Sequence, residues 1–582
     1  MPDSTELVRE TANAAVQVLI SDSHDLSASN KWQRASVHGC EVYCYGQPLL
    51  KGSRDAAAPE LIGQLFRDQG DCFVHALSGH YALVIDDRHS GTCHLFADRF
   101  ATHRLYYRSV FSGLIVADSL KALRGAVTEP LAISRQAVVN YLYHHMIPSP
   151  RTIYEGVYCL GPAQRVTWRQ GTLSRETWWK PAFDQHAPQS ERQLADELFA
   201  LMQAVVPDYC AKDNTGCFLS GGLDSSSLAG LASQSIRNPD AFSIGFPIAR
   251  YDEIGYARTA VKHFGLNGHE YCMTPEDVFA TLPQVVGSMD QPFGNSSVIP
   301  TYFCAQLAKS HGVNRLIAGD GGDELFAGNQ RYATQLQLDR WRQRLTPVIG
   351  TLDLALLRSG LPDSPALLGK AKSFVRQLKM TVPENVQYYN FLNLLDRKAI
   401  FSASVVKGVD LFEPDRQCQQ LYDALPKAGP LDRLLYLDWK HTLADNDLVK
   451  VSSMCRLAGV DVVYPMLDDR LVDFSLRVPA DIKLTRGNLR HLYKRAMGGF
   501  LPDKIIHKTK HGFGLPFGLW TKDQPKLQKM AYEAIDSLQR YDLFERTFID
   551  EAIHRHKNGH ASYYGELVWV LMVLALWLDR NY

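Results

Sequence analysis

An apolar run passes directly into a helix-like run through a loop of glycine, serine and aspartate in the stretch "CFLSGGLDSSSLAGLA", Cys217–Ala232. A strand, a bare loop and a helix in this order form the repeating unit of parallel sheets that are covered by helices on both faces. Ligands of such sheets bind outside the carboxyl ends of the strands. The stretch therefore predicts an α/β fold with a ligand site at this loop.

The same alternation continues further along the chain. "AFSIGF" and "NRLIAGD" have the composition of buried strands, and "EIGYARTAVKHFG" has the periodicity of a helix that lies between them. From about Asn329 onwards, the pattern is mostly that of amphipathic helices. The second half of the chain is therefore expected to be a parallel α/β domain with a helical C-terminal part.

The first half has a different pattern. Short segments rich in aromatic and β-branched residues follow one another between Cys40 and about Trp168, which predicts a β-rich domain. The polar, proline-containing stretch Lys180–Arg192 has the composition of a linker. With 582 residues the chain is too long for one core, and we expect two domains, residues 1–185 and 186–582.

Composition excludes several classes of function. Lys+Arg and Asp+Glu are equal at 62 each, which gives no electrostatic reason to expect a nucleic acid or an anionic membrane as partner. The late apolar run Leu567–Leu578 has twelve residues, fewer than the ~20 that span a bilayer, and predicts a buried C-terminal helix. The N-terminus is too polar for a signal peptide. Eleven scattered cysteines without a CxxC pair indicate a reducing compartment, with the cytoplasm as the default.

The loop Ser220–Ser226 has the chemistry of a phosphate site. Glycines allow close approach of an anion, and the start of the following helix offers free N–H groups and two serine hydroxyls. No Gly-Lys-Ser/Thr follows, and Asp224 stands in the loop instead of a lysine. An aspartate suits Mg²⁺ held against a pyrophosphate that leaves as a unit. The alternative is a helix-capping turn, for which serine and aspartate are ordinary residues.

Several motifs resemble one known family in their order. "SGGLDSS" resembles the pyrophosphate loop of the ATP-pyrophosphatase superfamily, and the region from Asp196 to the C-terminus resembles the synthetase domain of the asparagine synthetase B family. The blocks that carry the second resemblance are "FSIGF", "DQPFGNSSVIPTY", "GDGGDELFAGNQRY", "DNDLVKVSSM", "VVYPMLDDRLVDFSLRVPADIKL" and "IIHKTKHGFGLPFGLW". "LSGHYALVIDDRHSGTCHLFADRFATHRLYY" and "HHMIPSPRTIYEGVYCLGPAQ" resemble the later part of the family's N-terminal glutaminase domain.

The resemblance implies a fold and a reaction. The fold is a glutaminase-like domain of the N-terminal-nucleophile hydrolase type, followed by an adenine-nucleotide-hydrolase-like synthetase domain. The reaction adenylates a carboxylate with ATP and Mg²⁺, releases pyrophosphate and forms an amide with ammonia or an amine. The acid is a small molecule or a peptide, and a homodimer is compatible with the resemblance.

The resemblance also implies the residues of the site. Asp224 and Asp323 match the Mg²⁺ ligands, while Asp320 and Lys510 match a catalytic acid and a catalytic lysine. Lys508 is expected to be a solvated neighbour of Lys510, and for Lys450 a family role and a place on a helix surface are both open. The ATP-binding positions are matched by Leu219, Ser220, Gly221, Gly222, Asp224, Ser225, Ser226, Ile244, Ala318 and Gly319.

The sequence departs from the family at two places. Family members begin with Met followed by a nucleophilic cysteine, whereas this chain begins Met1-Pro2-Asp3 and its earliest cysteine is Cys40. We therefore expect a glutaminase-like domain without glutaminase activity, in which Asp98 and His103 are structural. Where the family reads "SLEVRVPFLD", this chain reads "GVDVVYPMLD", which keeps an acid at Asp461 and replaces an arginine with Val463. Free aspartate as the substrate is in doubt, because an apolar group cannot pair with a carboxylate.

Two alternatives to a ligase that joins separate molecules remain at this stage. One is a ring-closing ligase, similar to the β-lactam synthetases or lasso-peptide cyclases, although Asp320 differs from the tyrosine of the former. The other is a non-catalytic nucleotide-binding scaffold, which the retained Asp224, Asp323 and Lys510 disfavour.

Overall fold

The computed structural model describes residues 16–19, 32–111, 113–184, 189–210, 214–352, 366–509 and 514–582. Two β-sheets dominate the first half. The segments whose composition predicts strands there, "CEVYCYG", "HYALVIDD", "CHLFADR", "LYYRSV" and "GLIVADS", all contain strands. Their bounds are β1 Val16–Leu19, β2 Trp32–Val37, β3 Cys40–Leu50, β4 Leu77–Asp87, β5 Thr92–Ala97, β6 Tyr106–Val110, β7 Gly113–Ala117, β8 Tyr158–Cys159, β9 Gln164–Arg169 and β10 Thr172–Thr177. The helices are α1 Pro59–Gln69, α2 Leu120–Ala126, α3 Arg135–His144 and a 3₁₀ helix, Gly70–Ala76.

The first half has four layers. An antiparallel sheet in the order β10-β9-β5-β4-β3-β2 packs on a smaller sheet in the order β1-β7-β6-β8. Alternate residues of each strand face opposite sides, so Val84 and Val116 meet between the sheets, while Val42 packs outward against Ile62 and Phe66 of α1. Helices α2 and α3 cover the outer face of the smaller sheet. This arrangement agrees with the predicted β-rich, glutaminase-like fold.

A five-stranded parallel sheet forms the centre of the second half. Its strands are β11 Thr215–Phe218, β12 Asp240–Gly245, β13 Asn267–Cys272, β14 Arg315–Ile317 and β15 Asp461–Val463, in the order β13-β12-β11-β14-β15. The helices around it are α4 Glu191–Cys210, α5 Leu223–Ala232, α6 Ile254–Phe264, α7 Pro275–Ser288, α8 Val298–Ser310 and α9 Gly322–Phe326. The chain order reverses between β11 and β14, and a crevice at such a reversal is where parallel sheets bind ligands.

The remainder is helical, as expected, with one correction. Strand β15 interrupts the helices and adds an edge to the sheet beside β14. The helices are α10 Gln330–Leu345, α11 Ile349–Leu352, α12 Ala366–Lys379, α13 Phe391–Leu394, α14 Arg397–Ile400, α15 Ala403–Gly408, α16 Glu413–Asp423, α17 Pro430–Asp438, α18 Leu448–Ala458, α19 Asp469–Arg477, α20 Ala480–Lys483, α21 His491–Ala496, α22 Asp503–Ile506, α23 Phe517–Asp523, α24 Pro525–Ser537, α25 Arg546–Asn558 and α26 Ala561–Asn581. A π-helix, Trp439–Asp447, joins α17 to α18, and further 3₁₀ turns are Glu384–Gln387, Pro465–Leu467 and Leu538–Tyr541.

The C-terminal helix is longer than the apolar run that predicts it. Helix α26 has 21 residues and, among the described residues, is the one helix long and apolar enough to cross a membrane. Two-thirds of its most apolar window is buried inside the protein, and Trp577 donates a hydrogen bond to the carbonyl of Met289. The helix is therefore a core element, as predicted, although its length alone would not distinguish it from a membrane span.

Candidate active site

The loop after β11 is held tightly against the neighbouring helix α6. Gly221 has a φ of +68°, a conformation that favours glycine, and a Cβ at this position would collide with the backbone of Tyr256 and Ala257. Inside the loop, Ser220 and Ser225 hydrogen-bond to each other through their hydroxyls at 3.1 Å. The loop is thus preorganised, and helix α5 begins immediately after its last glycine, Gly222.

The loop after β14 interlocks with the first loop. Gly319 and Gly322 both face Asp224, and a Cβ on Gly322 would collide with the Oδ1 atom of that aspartate. Asp323, on the first turn of α9, lies on the same side. Glycine at these positions therefore lets two acidic loops approach each other closely, as the switch point of the sheet requires.

Arg490 joins the two carboxylates. Its Nη1 atom lies 2.6 Å from Asp224 Oδ2 and 3.1 Å from Asp323 Oδ1, so both acids contact the same guanidinium nitrogen. The arginine has a φ of +53°, an unfavourable conformation of the kind that clusters at functional sites. Sequence reasoning missed this residue, because it comes 266 positions after Asp224.

The residues at this place fit a magnesium ion. Asp224 Oδ1 is buried and accepts no hydrogen bond from any part of the chain that the structure describes, so it has a lone pair to offer. Asp224 and Asp323 together provide the hard carboxylate oxygens that Mg²⁺ prefers, one or two of them being usual beside substrate phosphates. The donor set therefore fits Mg²⁺, and the assignment of Asp224 and Asp323 as its ligands stays a prediction.

A cavity of about 780 Å³ opens above the two loops. Nine of the predicted site residues line it, namely Leu219, Ser220, Gly222, Asp224, Ser225, Ile244, Gly319, Asp320 and Asp323. Three others are not brought to its wall: Gly221 packs on α6, Ser226 is fully buried behind the loop, and the backbone N–H of Ala318 donates to Val463 in the sheet. Lys510 lies outside the described residues.

Lys508 is not a solvated neighbour, contrary to expectation. Its side chain is only 6% exposed, and its Nζ atom lies 3.0 Å from Glu253 and 3.3 Å from the carbonyl oxygen of Ser220. The ammonium also lies 4.8 Å from the centre of the Tyr256 ring. Burial lowers its pKa from the usual value. Lys508 therefore places a cation against the first loop, at the wall of the cavity.

Lys450 lies in the cavity and not on a helix surface. Asp447 holds its ammonium at 2.7 Å, and its side chain is largely buried. Next to this pair is Asp320, whose pKa is raised to about 6 by burial, with the charge of Lys450 opposing the rise. Burial also raises the pKa of Glu324 to about 8. The cavity thus contains acids that can exchange a proton near neutral pH.

Among the described residues of the first half, no comparable arrangement surrounds the earliest cysteine. Cys40 is completely buried at the start of β3, and burial raises the pKa of its thiol to about 11. Asp98 accepts hydrogen bonds from the backbone N–H groups of Tyr81 and Phe100, which organises the turn after β5. His103 packs edge-on against Tyr45. These contacts are structural ones.

The segment Asp461–Val463, in which the sequence departs from the family motif, lies beside the cavity and not on its wall. Asp461 forms a buried ion pair with Arg315 of the adjacent strand at 3.1 Å. Val463 pairs with Ile317 in the sheet, and its carbonyl oxygen accepts from the N–H of Ala318. Neither residue is among those that line the cavity.

A β-rich, glutaminase-like domain joined to a parallel α/β domain with acidic loops at its switch point defines a class, the two-domain ATP-dependent carbon–nitrogen ligases. Residues 198–579 match the asparagine synthase family, and residues 50–179 match the glutamine amidotransferase domain. The first match covers more than half of the chain, and the chain therefore belongs to the asparagine synthase family.

Individual relatives are distant. Glutamine-hydrolysing asparagine synthetase 1 of Bacillus subtilis strain 168 is 23% identical over 539 residues, covering 90% of this chain and 80% of the relative. Glutamine-hydrolysing asparagine synthetase 3 of the same strain is 21% identical, covering 76% and 68%. A solved glutamine phosphoribosylpyrophosphate amidotransferase of B. subtilis is 9% identical, covers 50% of this chain and 64% of its own, and has a TM-score of 0.17, too low to support any conclusion.

Proposed function

We propose that this protein joins a carboxylic acid to nitrogen in two steps at the cavity above β11 and β14. In the first step a carboxylate oxygen of the acid attacks the α-phosphorus of ATP, and the bond from that phosphorus to the bridging oxygen breaks, so that pyrophosphate leaves. In the second step ammonia or an amine attacks the acyl carbon, AMP leaves, and the nitrogen loses a proton. The acid is aspartate or a related compound.

One observation carries the proposal. Asp224 and Asp323 come from different loops and meet on one nitrogen of Arg490 at the switch point of the sheet. Mg²⁺ bound there would supply positive charge to the departing pyrophosphate oxygens. Lys508 fixes the carbonyl of Ser220 and so orients the loop that faces the phosphates. Leu219 and Ile244, on the cavity wall, offer apolar surface to the adenine ring.

Asp320 is the proposed proton acceptor of the second step. An ammonium ion or a protonated amine must lose a proton before it can attack, and a base whose pKa lies near the working pH does this best. The pKa of Asp320, raised to about 6 by burial, meets that requirement. Lys450, held by Asp447, provides a cation nearby for the carboxylate of the substrate. The role predicted for Lys510 remains part of the proposal.

Free ammonia or an amine is the proposed nitrogen source. A thiol is nucleophilic only as a thiolate, and Cys40 is buried with its pKa raised to about 11. All eleven cysteines are free, which agrees with the proposed cytoplasmic location. We also keep the boundary between the two domains near residue 185 as a proposal.

A pyrophosphate-exchange screen tests the function. The protein is incubated with ATP, Mg²⁺, radiolabelled pyrophosphate and a panel of carboxylic acids that includes aspartate, and label in ATP is measured. We expect exchange with at least one acid, and a loss on the order of 100-fold in Asp224→Asn and Asp323→Asn. Asp196→Asn, whose side chain is 76% exposed, serves as the control. Release of ADP and orthophosphate in place of AMP and pyrophosphate contradicts the proposal.

A further inference from the structure

Three helices bring two imidazoles and a thiol together at the junction of the two halves. His144 is the last residue of α3, Cys418 lies on α16, and His441 lies in the π-helix. One donor atom from each of them falls within 4.8 Å of the other two, and Cys418 Sγ is 4.0 Å from His441 Nδ1. The two imidazole rings are 4.8 Å apart between centroids. No step of the proposed reaction uses these side chains.

We propose that His144, Cys418 and His441 bind one zinc ion that joins the two halves of the protein. Zinc takes thiolate sulfur at about 2.3 Å and imidazole nitrogen at about 2.0–2.1 Å, which puts two tetrahedral donors ~3.6 Å apart. The Cys418–His441 separation of 4.0 Å needs only a small closure to reach this value. Mg²⁺, which prefers oxygen donors, is not suited to this set.

One of the nitrogen donors lacks a partner. His144 Nε2 is buried and has no hydrogen-bond partner among the residues that the structure describes, and such a group is costly unless an ion or a water molecule satisfies it. A neutral imidazole can offer a nitrogen lone pair of this kind to a metal. The Cys418 thiol releases its proton to solvent when the sulfur bonds to zinc.

The surrounding contacts fix two of the three ligands in advance. Asn140 of α3 donates to Glu413 and Gln417 of α16, at 3.3 and 3.4 Å. The hydroxyl of Tyr143 donates to Asp415 Oδ1 at 3.0 Å. These bonds lie within about a turn of His144 on one helix and of Cys418 on the other. They hold α3 against α16 and so keep the two ligand-bearing helices side by side.

The third ligand connects the site to the proposed active site. His441 follows Lys440, whose buried ammonium donates to the carbonyl of Pro162 in the first half at 2.6 Å. The same π-helix ends at Asp447, which holds Lys450 in the cavity. π-Helices are rare in proteins, and those that occur often lie at functional sites. His144 also lines the cavity, which provides a path for the ion to enter.

A cobalt titration of the full-length protein tests the proposal. The chelator-treated protein is titrated with Co²⁺ in the absence of ATP, and the thiolate-to-cobalt charge-transfer absorption is recorded; zinc in the untreated protein is measured by mass spectrometry. We expect one equivalent of metal in the wild type. Loss of a group that only hydrogen-bonds to a metal ligand lowers metal affinity by ~10–100-fold, and we expect a greater loss in Cys418→Ala, because the ligand itself is removed. Cys455→Ala, at another buried and free cysteine, keeps the absorption.

Two further variants make the result decisive. Asp323→Asn must keep the thiolate absorption, because the carboxylate site gives no sulfur signal. His441→Gln must lose it, and this variant decides the matter if Cys418→Ala fails to fold. Absence of the absorption from the wild-type protein, or its persistence in Cys418→Ala, overturns the proposal. If the proposed function is wrong, pyrophosphate exchange is absent whatever the cobalt titration shows, so the two proposals fail separately.

Discussion

Among single residues, Lys508 has lost most of its hydration in order to contact the loop after β11. Its ammonium is shared between Glu253, the carbonyl of Ser220 and the ring of Tyr256. A buried cation is stable only when such partners replace water. The free energy of these contacts is available to hold Ser220 in the position from which the loop meets a phosphate.

Replacing this lysine is expected to weaken ATP binding. Lys508→Met removes a charged hydrogen bond worth about 1.5–3 kcal/mol, and we expect the KM for ATP to rise by about 10–100-fold. Lys504→Met is the matched control, because Lys504 also lies over Tyr256, at 5.2 Å, but is exposed. Steady-state kinetics of the amide-forming reaction measures both. An unchanged KM in Lys508→Met would show that the contact with Ser220 does not matter.

His103 is expected to make the protein acid-sensitive. Burial at the junction of the two halves, near His80 and Arg456, lowers its pKa to about 3, whereas the unfolded chain has the ordinary value of 6.5. Between these values the unfolded state binds a proton that the folded state does not, so stability is complete above pH 6.5 and falls as the pH drops towards 3.

Substitution of His103 should remove part of this dependence. Between pH 6.5 and 4 the free energy of unfolding is expected to fall less in His103→Gln than in the wild type. The difference between the two decreases is on the order of 1–3 kcal/mol. Denaturant unfolding at several pH values measures it, with His554→Gln, an exposed histidine of α25, as the control. Equal slopes in wild type and His103→Gln would refute the assignment.

The sequence could predict the positions of residues in short motifs but not those of their distant partners, and the roles of the motif residues stay predictions. Asp224 and Asp323 could be placed at one edge of the sheet because each lies at the start of the helix that follows a strand. Arg490 could not, since nothing near it in the sequence indicates that α21 begins beside these acids. The burial of Lys508 likewise depends on Glu253 and Tyr256, which approach it only in the folded chain.

Among the elements, the turn between β11 and α5 sets the shape of the site. Its two glycines have different constraints: Gly221 has a φ of +68° and no room for a side chain, whereas a Cβ on Gly222 would meet only Ser220 Oγ, at 3.3 Å. Gly221 therefore determines how closely the loop packs against α6, and Gly222 leaves the peptide free to face a phosphate.

Alanine at the two positions should have unequal effects on the ligand-free protein. Gly221→Ala combines a left-handed conformation, costing roughly 1–2 kcal/mol, with a collision against α6, and we expect a loss of at least about 2 kcal/mol. For Gly222→Ala we expect about 1 kcal/mol or less. Denaturant unfolding without ATP measures both. Similar losses in the two variants would show that the packing of Gly221 on α6 is not constraining.

Elements were predictable where apolar runs alternate with loops. The runs of β11, α5, β12 and α6 follow one another in this way, and all four elements are present. Strand β15 lies within a helical region, and its place in the sheet comes from pairing with β14. The π-helix has a helical sequence, which does not distinguish its wider turn from that of an α-helix.

In the whole molecule, one continuous apolar core runs through both halves. Phe100 and Trp179 of the first half pack against Trp439 of the second, with ring centroids 5.6 and 6.2 Å apart. The hydroxyl of Tyr141 donates to the carbonyl of Val570 in α26. The apolar core therefore crosses the boundary that we propose near residue 185.

The shared core predicts that the two halves unfold together, although long chains often unfold in steps. Calorimetry is expected to show one transition. Arg104 forms an ion pair with Asp445 across the junction, at 2.8 Å. Arg104→Met leaves that buried carboxylate without its cation, at a cost of about 3–5 kcal/mol. The whole transition should then move to lower temperature without splitting. Arg88→Met, on a side chain that is 56% exposed, should leave it in place. Two transitions, of which only one moves in Arg104→Met, would mean that the halves are energetically separate despite their contact.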